Sequence, residues 1–227
     1  MQLRNFTVFL FLGLATAAHS RSESLQQVLQ RMDRAAADFK AMTAQVTYVT
    51  HTDVLNEDSK ETGTAILKKM QADDVQGLVE FVTPDRKAVS FEKHAMRVYY
   101  PKINTIQAFD IDKTADPVKF VLIGFGISGN ELAKDYDVSV LPNDNSVPAS
   151  VHLQLTPKSA EAKQYMTKVE LWIPEQGDPY PMREKITQPS KDYRLVMYSD
   201  LKINPPLQAD ALQLKPAPGV KIEHPGR

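Results

Sequence analysis

The most constraining feature of this 227-residue chain is a two-residue hydrophobic alternation, interrupted only by short polar or proline-containing connectors. Runs at 45–52, 62–70, 77–83, 87–91, 95–101 and 105–110 carry it through the first half. Runs at 135–141, 150–156, 166–173, 182–188, 193–203 and 211–214 carry it through the second. Successive side chains of a strand point to opposite faces, so this period predicts strands with two distinct faces. Connectors such as Gln71-Ala-Asp-Asp74, Pro84-Asp-Arg-Lys87 and Lys102-Ile-Asn104 are too short to hold crossover helices, so neighbours should pair antiparallel. The faces follow from the pleat. Val79 and Phe81 oppose Glu80, Val89 and Phe91 oppose Ser90, and Met96, Val98 and Tyr100 oppose Arg97 and Tyr99; later, Val169, Leu171 and Ile173 oppose Lys168, Glu170 and Trp172. The expected fold is α+β and mainly antiparallel: one incompletely closed sheet of about a dozen strands, an open β-barrel covered on its concave side.

Two segments depart from the alternation. Ser24 and Gln27 have the spacing of a capping box, and after them Leu25, Val28, Leu29, Met32, Ala36 and Phe39 recur every three or four residues. This predicts an amphipathic helix with one face laid on the sheet. The second segment, 117–129, begins with a proline suited to a helix start and ends in Gly124, Gly126 and Gly129. It carries Phe120, Leu122, Ile123 and Phe125 and is expected to form a lid. The stretch 215–223 contains prolines that cannot donate to a ladder, so it should lie at an edge.

The remaining composition excludes more than it assigns. A basic start, an apolar run at 6–18 and a small-residue cleavage site at Ala18-His-Ser20 or Ala15-Thr-Ala17 read as a signal peptide over 1–20, with one domain over 21–227. That run is shorter than the ~20 apolar residues a spanning helix needs. There is no cysteine, hence no disulfide, thiolate metal site or lipid-accepting cysteine, and the net charge of −1 comes without a basic stripe for nucleic acid. Gly124-Phe-Gly-Ile-Ser-Gly129 matches a dinucleotide-binding pattern but lacks the following long helix and second parallel strand. His51, His94, His152 and His224 are too far apart to suggest zinc. Asp110-Ile-Asp112 lacks the glycine and closing glutamate of a calcium loop, and no nucleophile elbow occurs. The expectation is a non-enzymatic protein with no cofactor.

Several stretches in order resemble the LolA-like family of periplasmic outer-membrane lipoprotein carriers. They are Leu25-Gln-Gln-Val-Leu-Gln-Arg-Met-Asp33, Arg97-Val-Tyr-Tyr-Pro-Lys-Ile-Asn-Thr105, Leu155-Thr-Pro-Lys-Ser159, Val169-Glu-Leu-Trp-Ile173, Lys202-Ile-Asn204 and Pro218-Gly-Val-Lys-Ile222. The resemblance implies a half-barrel with a helical lid over a hydrophobic cavity. Its wall would be Val79, Phe81, Val89, Phe91, Met96, Val98, Tyr100, Leu153, Val169, Leu171 and Ile173; its lid would be Phe120, Leu122, Ile123 and Phe125 with Leu25, Leu29 and Met32. Lysines at Ile66-Leu-Lys-Lys-Met70 stand where the family's latch arginine is usual, and Arg97 stands where tryptophan is usual, so no latch is assigned. The implied function is a monomeric periplasmic carrier of acylated lipoproteins or lipids. It would load from an inner-membrane lipoprotein-releasing ABC transporter and deliver to an outer-membrane acceptor. A periplasmic lipid or lipoprotein sensor that regulates a membrane partner remains the alternative.

Overall fold

The structure, a computed structural model, describes residues 23–71, 74–92, 95–110, 123–142 and 146–225. The expected signal segment and the lid residues Phe120 and Leu122 lie outside them. Strands β1 (Ala41–Thr52), β2 (Glu57–Gln71), β3 (Asp74–Thr83), β4 (Lys87–Glu92), β5 (Ala95–Tyr100) and β6 (Thr105–Asp110) form an antiparallel meander. A second meander follows, of β7 (Tyr136–Leu141), β8 (Ser150–Pro157), β9 (Lys168–Pro174), β10 (Arg183–Thr187) and β11 (Tyr193–Ile203). β11 pairs with β1, so the two halves join in one 12-stranded sheet with β7 at one edge. The other edge is β12 (Lys221–Glu223), which pairs parallel with β6. The sheet does not close into a barrel.

Among the described residues three α-helices accompany it: α1 (Leu25–Asp38), α2 (Gly129–Asp135) and the short α3 (Ala162–Tyr165). The expected capping box starts α1, with the Ser24 amide donating to Gln27 Oε1 at 2.9 Å and the Gln27 amide to Ser24 Oγ at 3.4 Å. Its buried stripe is Val28, Met32 and Ala36. Arg31 anchors the opposite flank by donating to the carbonyl oxygens of Pro174 (2.6 Å) and Gly177 (3.2 Å). Asn204 fastens the end of α1 to the sheet, accepting from the amides of Lys40 and Ala41 and donating to the Asp38 carbonyl. α2 has its own capping box, Ser128 with Glu131, and its Asn130 donates twice to Asp33 of α1. The helices touch at Gly129, where an added Cβ would stand 2.5 Å from the Leu29 carbonyl oxygen.

Two expectations differ from the structure. The run 211–214 is not a strand: Leu212 and Leu214, with Val220, cover an outer-face cluster of Leu78, Ala88, Tyr99 and Ile106. Alternating leucines serve there as a cover instead of a ladder. Tyr99 holds that cover in place, accepting from the Ala217 amide and donating to Asn104, whose side chain in turn donates to the Pro218 carbonyl. The second difference is that residues 129–135, between the lid segment and the strand run at 135–141, where the sequence pattern names no element, form α2. The Ser128–Glu131 spacing carries that signal.

Candidate functional site

The concave face divides into a filled part and a hollow part. Under α1 and α2 the inward residues of β8 and β9, Val151, Leu153, Leu155, Val169, Leu171 and Ile173, pack against Val28, Met32, Ile123 and Leu132. Leu153, Val169, Leu171 and Ile173 are 0% exposed. Along β1–β5, β10 and β11 the same inward phase instead borders a cavity of about 270 Å³.

One end of this cavity is purely apolar. The register aligns Met42 with Leu67 and Phe91 with Met96, and all four line it. Val46, Ala65, Val79 and Val89 continue the wall towards Phe81, which meets Tyr48 edge-on with ring centroids 6.0 Å apart. The other end is charged. Lys87 pairs with Glu61 at 2.8 Å and lies 4.9 Å from the centre of the Phe81 ring, and exposed Arg194 of β11 also lines the cavity.

An aromatic group packs against the hollow. Phe125 stacks on Tyr180 at 5.8 Å and meets Tyr198, a lining residue, edge-on at 5.0 Å; Phe39 sits 5.8 Å from Tyr180. The Tyr180 hydroxyl donates to the Ala35 carbonyl of α1 at 3.1 Å, and burial pushes its pKa up to about 12. Gly126, at φ +77°, is needed here: a Cβ would stand 2.7 Å from the Phe39 ring.

One polar group lies where the hollow and filled parts meet. Along a cross-strand row, Glu184 stands between Leu171 of the filled part and Val196 of the cavity wall. It lines the cavity and is 1% exposed. The Tyr198 hydroxyl reaches its Oε2 only at 3.5 Å, and Oε1 has no hydrogen-bond partner among the described residues. Burial in apolar surroundings drives the Glu184 pKa well above the usual carboxylate range, with Tyr198 only partly opposing it.

The expected wall is therefore divided. Val79, Phe81, Val89, Phe91 and Met96 line the cavity. Val98 stands opposite Val89 on the same face and Tyr100 follows in phase, yet neither is among the lining residues. Leu153, Val169, Leu171 and Ile173 are packed beneath the helices. Of the expected lid residues, Ile123 joins that packing with Met32, while Leu25 and Leu29 lie half-buried around it; Phe125 packs beside the cavity. Sequence reasoning passed over Glu184, although it is an acid in phase with Ile186 on an inward face. Among the described residues no group of three or more His, Asp or Glu side chains could hold a metal, and no helix is long and apolar enough to cross a membrane.

No family model matches the sequence, and no curated protein matches it. Solved structures do. MucB, also solved with MucA from Pseudomonas aeruginosa, is 15% identical over 84% of this chain and 62% of MucB, with a TM-score of 0.51. This chain thus spans about three-fifths of MucB. An uncharacterized conserved protein from Thermus thermophilus is 12% identical over 89% of this chain and 99% of that one, with a TM-score of 0.51. A LolA superfamily protein from Nitrosomonas europaea is 15% identical over 85% and 98%, with a TM-score of 0.41. The chain folds as an open half-barrel like MucB and the Thermus thermophilus protein, and its likeness to these proteins is one of fold alone.

Proposed function

We propose that this protein is a periplasmic carrier that takes acyl chains of lipoproteins, or of related lipids, into its cavity and moves them from the inner to the outer membrane. The cavity carries this reading: about 270 Å³ lined mainly by Val, Leu, Met and Phe, beside a part of the same face that is filled by packed side chains. That volume is just under the ~300 Å³ at which small-molecule pockets begin. It suits a single chain while the aromatic group stays in place; further chains require Phe125 to withdraw. Each enclosed methylene contributes about 0.8 kcal/mol, so a long chain buried completely would leave too slowly for a carrier. Phe39, Phe125 and Tyr180 can compete with cargo for the same apolar surface, which lowers the net gain. Direction then comes from partners of graded affinity: an inner-membrane lipoprotein-releasing ABC transporter as donor and an outer-membrane acceptor.

The fold shared with MucB, a protein solved in complex with MucA, favours a second reading, in which the same cavity senses a lipid and regulates a membrane partner. A fluorescent acyl probe tests the cavity, and a labelled lipoprotein moved between inner- and outer-membrane vesicles tests transport. The expected result is saturable probe binding, weakened by Val79→Phe or Val89→Phe, together with accelerated transfer. Absence of binding would remove both readings, and binding without transfer would select the sensor.

A further inference from the structure

Glu184 is an odd residue for a hydrophobic cavity. Its neighbours across the strands are Leu171 and Val196, and its side chain is 1% exposed. A carboxyl group so placed must find hydrogen-bond partners or be costly to bury. Tyr198 supplies only a long contact of 3.5 Å to Oε2, and Oε1 has no partner among the described residues. The charged residues on the wall are elsewhere: Lys87 is taken by Glu61, and Arg194 is exposed. Because the Tyr198 hydroxyl donates to Oε2, that oxygen serves as the carboxyl's acceptor, which leaves Oε1 to carry the proton. The result is a hydrogen-bond donor set among the apolar residues where the hollow and filled parts meet.

This inference rests on the acyl-carrier reading and specifies its ligand. We propose that Glu184 recognises the carbonyl oxygen of an acyl ester or amide, donating a hydrogen bond to it from its carboxyl group while the hydrocarbon lies along the apolar wall. The choice of ligand follows from the donor. A carbonyl oxygen accepts that hydrogen bond and brings no charge, so it satisfies Glu184 without burying an ion. A free fatty acid would bring a second carboxyl group beside the first, and a plain hydrocarbon would leave the donor unpaired. Lipoprotein acyl groups, attached through esters and amides, present the matching chemistry. The cavity thereby selects by head as well as by tail.

The test is displacement of a bound fluorescent acyl probe by methyl nonanoate and by undecane, chains of equal length that differ in the ester group. It is run on the wild type, Glu184→Gln and Glu184→Leu, with folding of each checked by thermal melting. The ester-to-hydrocarbon affinity ratio should be about tenfold higher in the wild type than in the Leu variant, the worth of one buried hydrogen bond once the ligands' own difference in hydrophobicity cancels. Gln retains an N–H donor and should keep most of that preference. Leu should bind undecane at least as well as the wild type and lose the preference. An ester-to-hydrocarbon affinity ratio that is the same in the wild type and the Leu variant overturns the role of Glu184 while leaving the carrier reading intact. If the wild type binds neither, the carrier reading falls and this assignment with it.

Discussion

The two parts of the concave face have the same sequence grammar and opposite outcomes. β8 and β9 present Leu153, Leu155, Val169, Leu171 and Ile173 to α1 and α2, and the space between is filled. β1–β5 present Val46, Val79, Val89, Phe91 and Met96 in the same alternating way, and a cavity of about 270 Å³ remains. Neither the period nor these apolar residues distinguish them. What differs is the cover: two helices joined at Gly129 and by the Asn130–Asp33 hydrogen bonds lie over one, and a cluster of three aromatic rings packs against the other. Alternation therefore says which way a side chain points, and only the covering elements say what it meets.

The sharpest way to break this contrast is to shorten one side chain in each part. Leu171→Ala should destabilise by about 2–5 kcal/mol, because it removes transfer energy and leaves a void that closely packed neighbours cannot close. Val89→Ala should cost about 1 kcal/mol or less, since its side chain already borders space. Chemical denaturation measures both, and equal costs would abolish the distinction between filled and hollow parts.

Enlargement tests the same difference with the sign of the effect at issue. Val169→Phe should lose about 1–3 kcal/mol, since Val169 is 0% exposed and extra volume forces side chains off their rotamers. Val79→Phe should leave the melting temperature nearly unchanged, because the ring can enter the cavity. A fall in melting temperature for Val79→Phe matching that of Val169→Phe would mean the cavity cannot accept a ring.

Much of the fold was legible because alternation is a strictly local signal. It placed Val79 and Phe81 opposite Glu80, and Val169, Leu171 and Ile173 opposite Trp172, as the register requires. It failed where a pattern has two physical uses. Ala211-Leu-Gln-Leu214 alternates like a strand, yet its leucines are used to cover Leu78, Ala88, Tyr99 and Ile106. The helix α2 was hidden by the glycines around it, although Ser128 and Glu131 stand at capping-box spacing. The division of the concave wall could not be read at all, because it depends on where α1 lands, and Arg31 and Asn204 settle that through contacts more than 140 residues away in sequence. Glu184 was legible in principle: an acid in the apolar phase of Arg183-Glu-Lys-Ile-Thr187 contradicts its own face, and such contradictions mark sites.

The smallest expected effect concerns that residue and depends on pH. The groups around Glu184 are Tyr198 and Arg194 on β11, Tyr136 on β7, Tyr48 on β1 and, further along the row, Glu61 already paired with Lys87; β9 contributes only apolar residues. None of them offers a free positive charge close enough to hold Glu184 ionised, and burial raises its pKa well above 4.5. In the unfolded chain the group ionises near its ordinary value, so between that value and the raised one the folded state binds more protons. Stability contributed by neutral Glu184 is thus fully present below about pH 4.5 and is lost as pH rises through the folded-state value. Each unit of elevation corresponds to about 1.4 kcal/mol. Glu184→Gln keeps the shape and cannot ionise, so its melting temperature should exceed that of the wild type at neutral pH and converge with it near pH 4.5. A difference between the two that stays constant across this window would mean Glu184 titrates as an ordinary carboxylate, and the boundary between the filled and hollow parts would then be open to water.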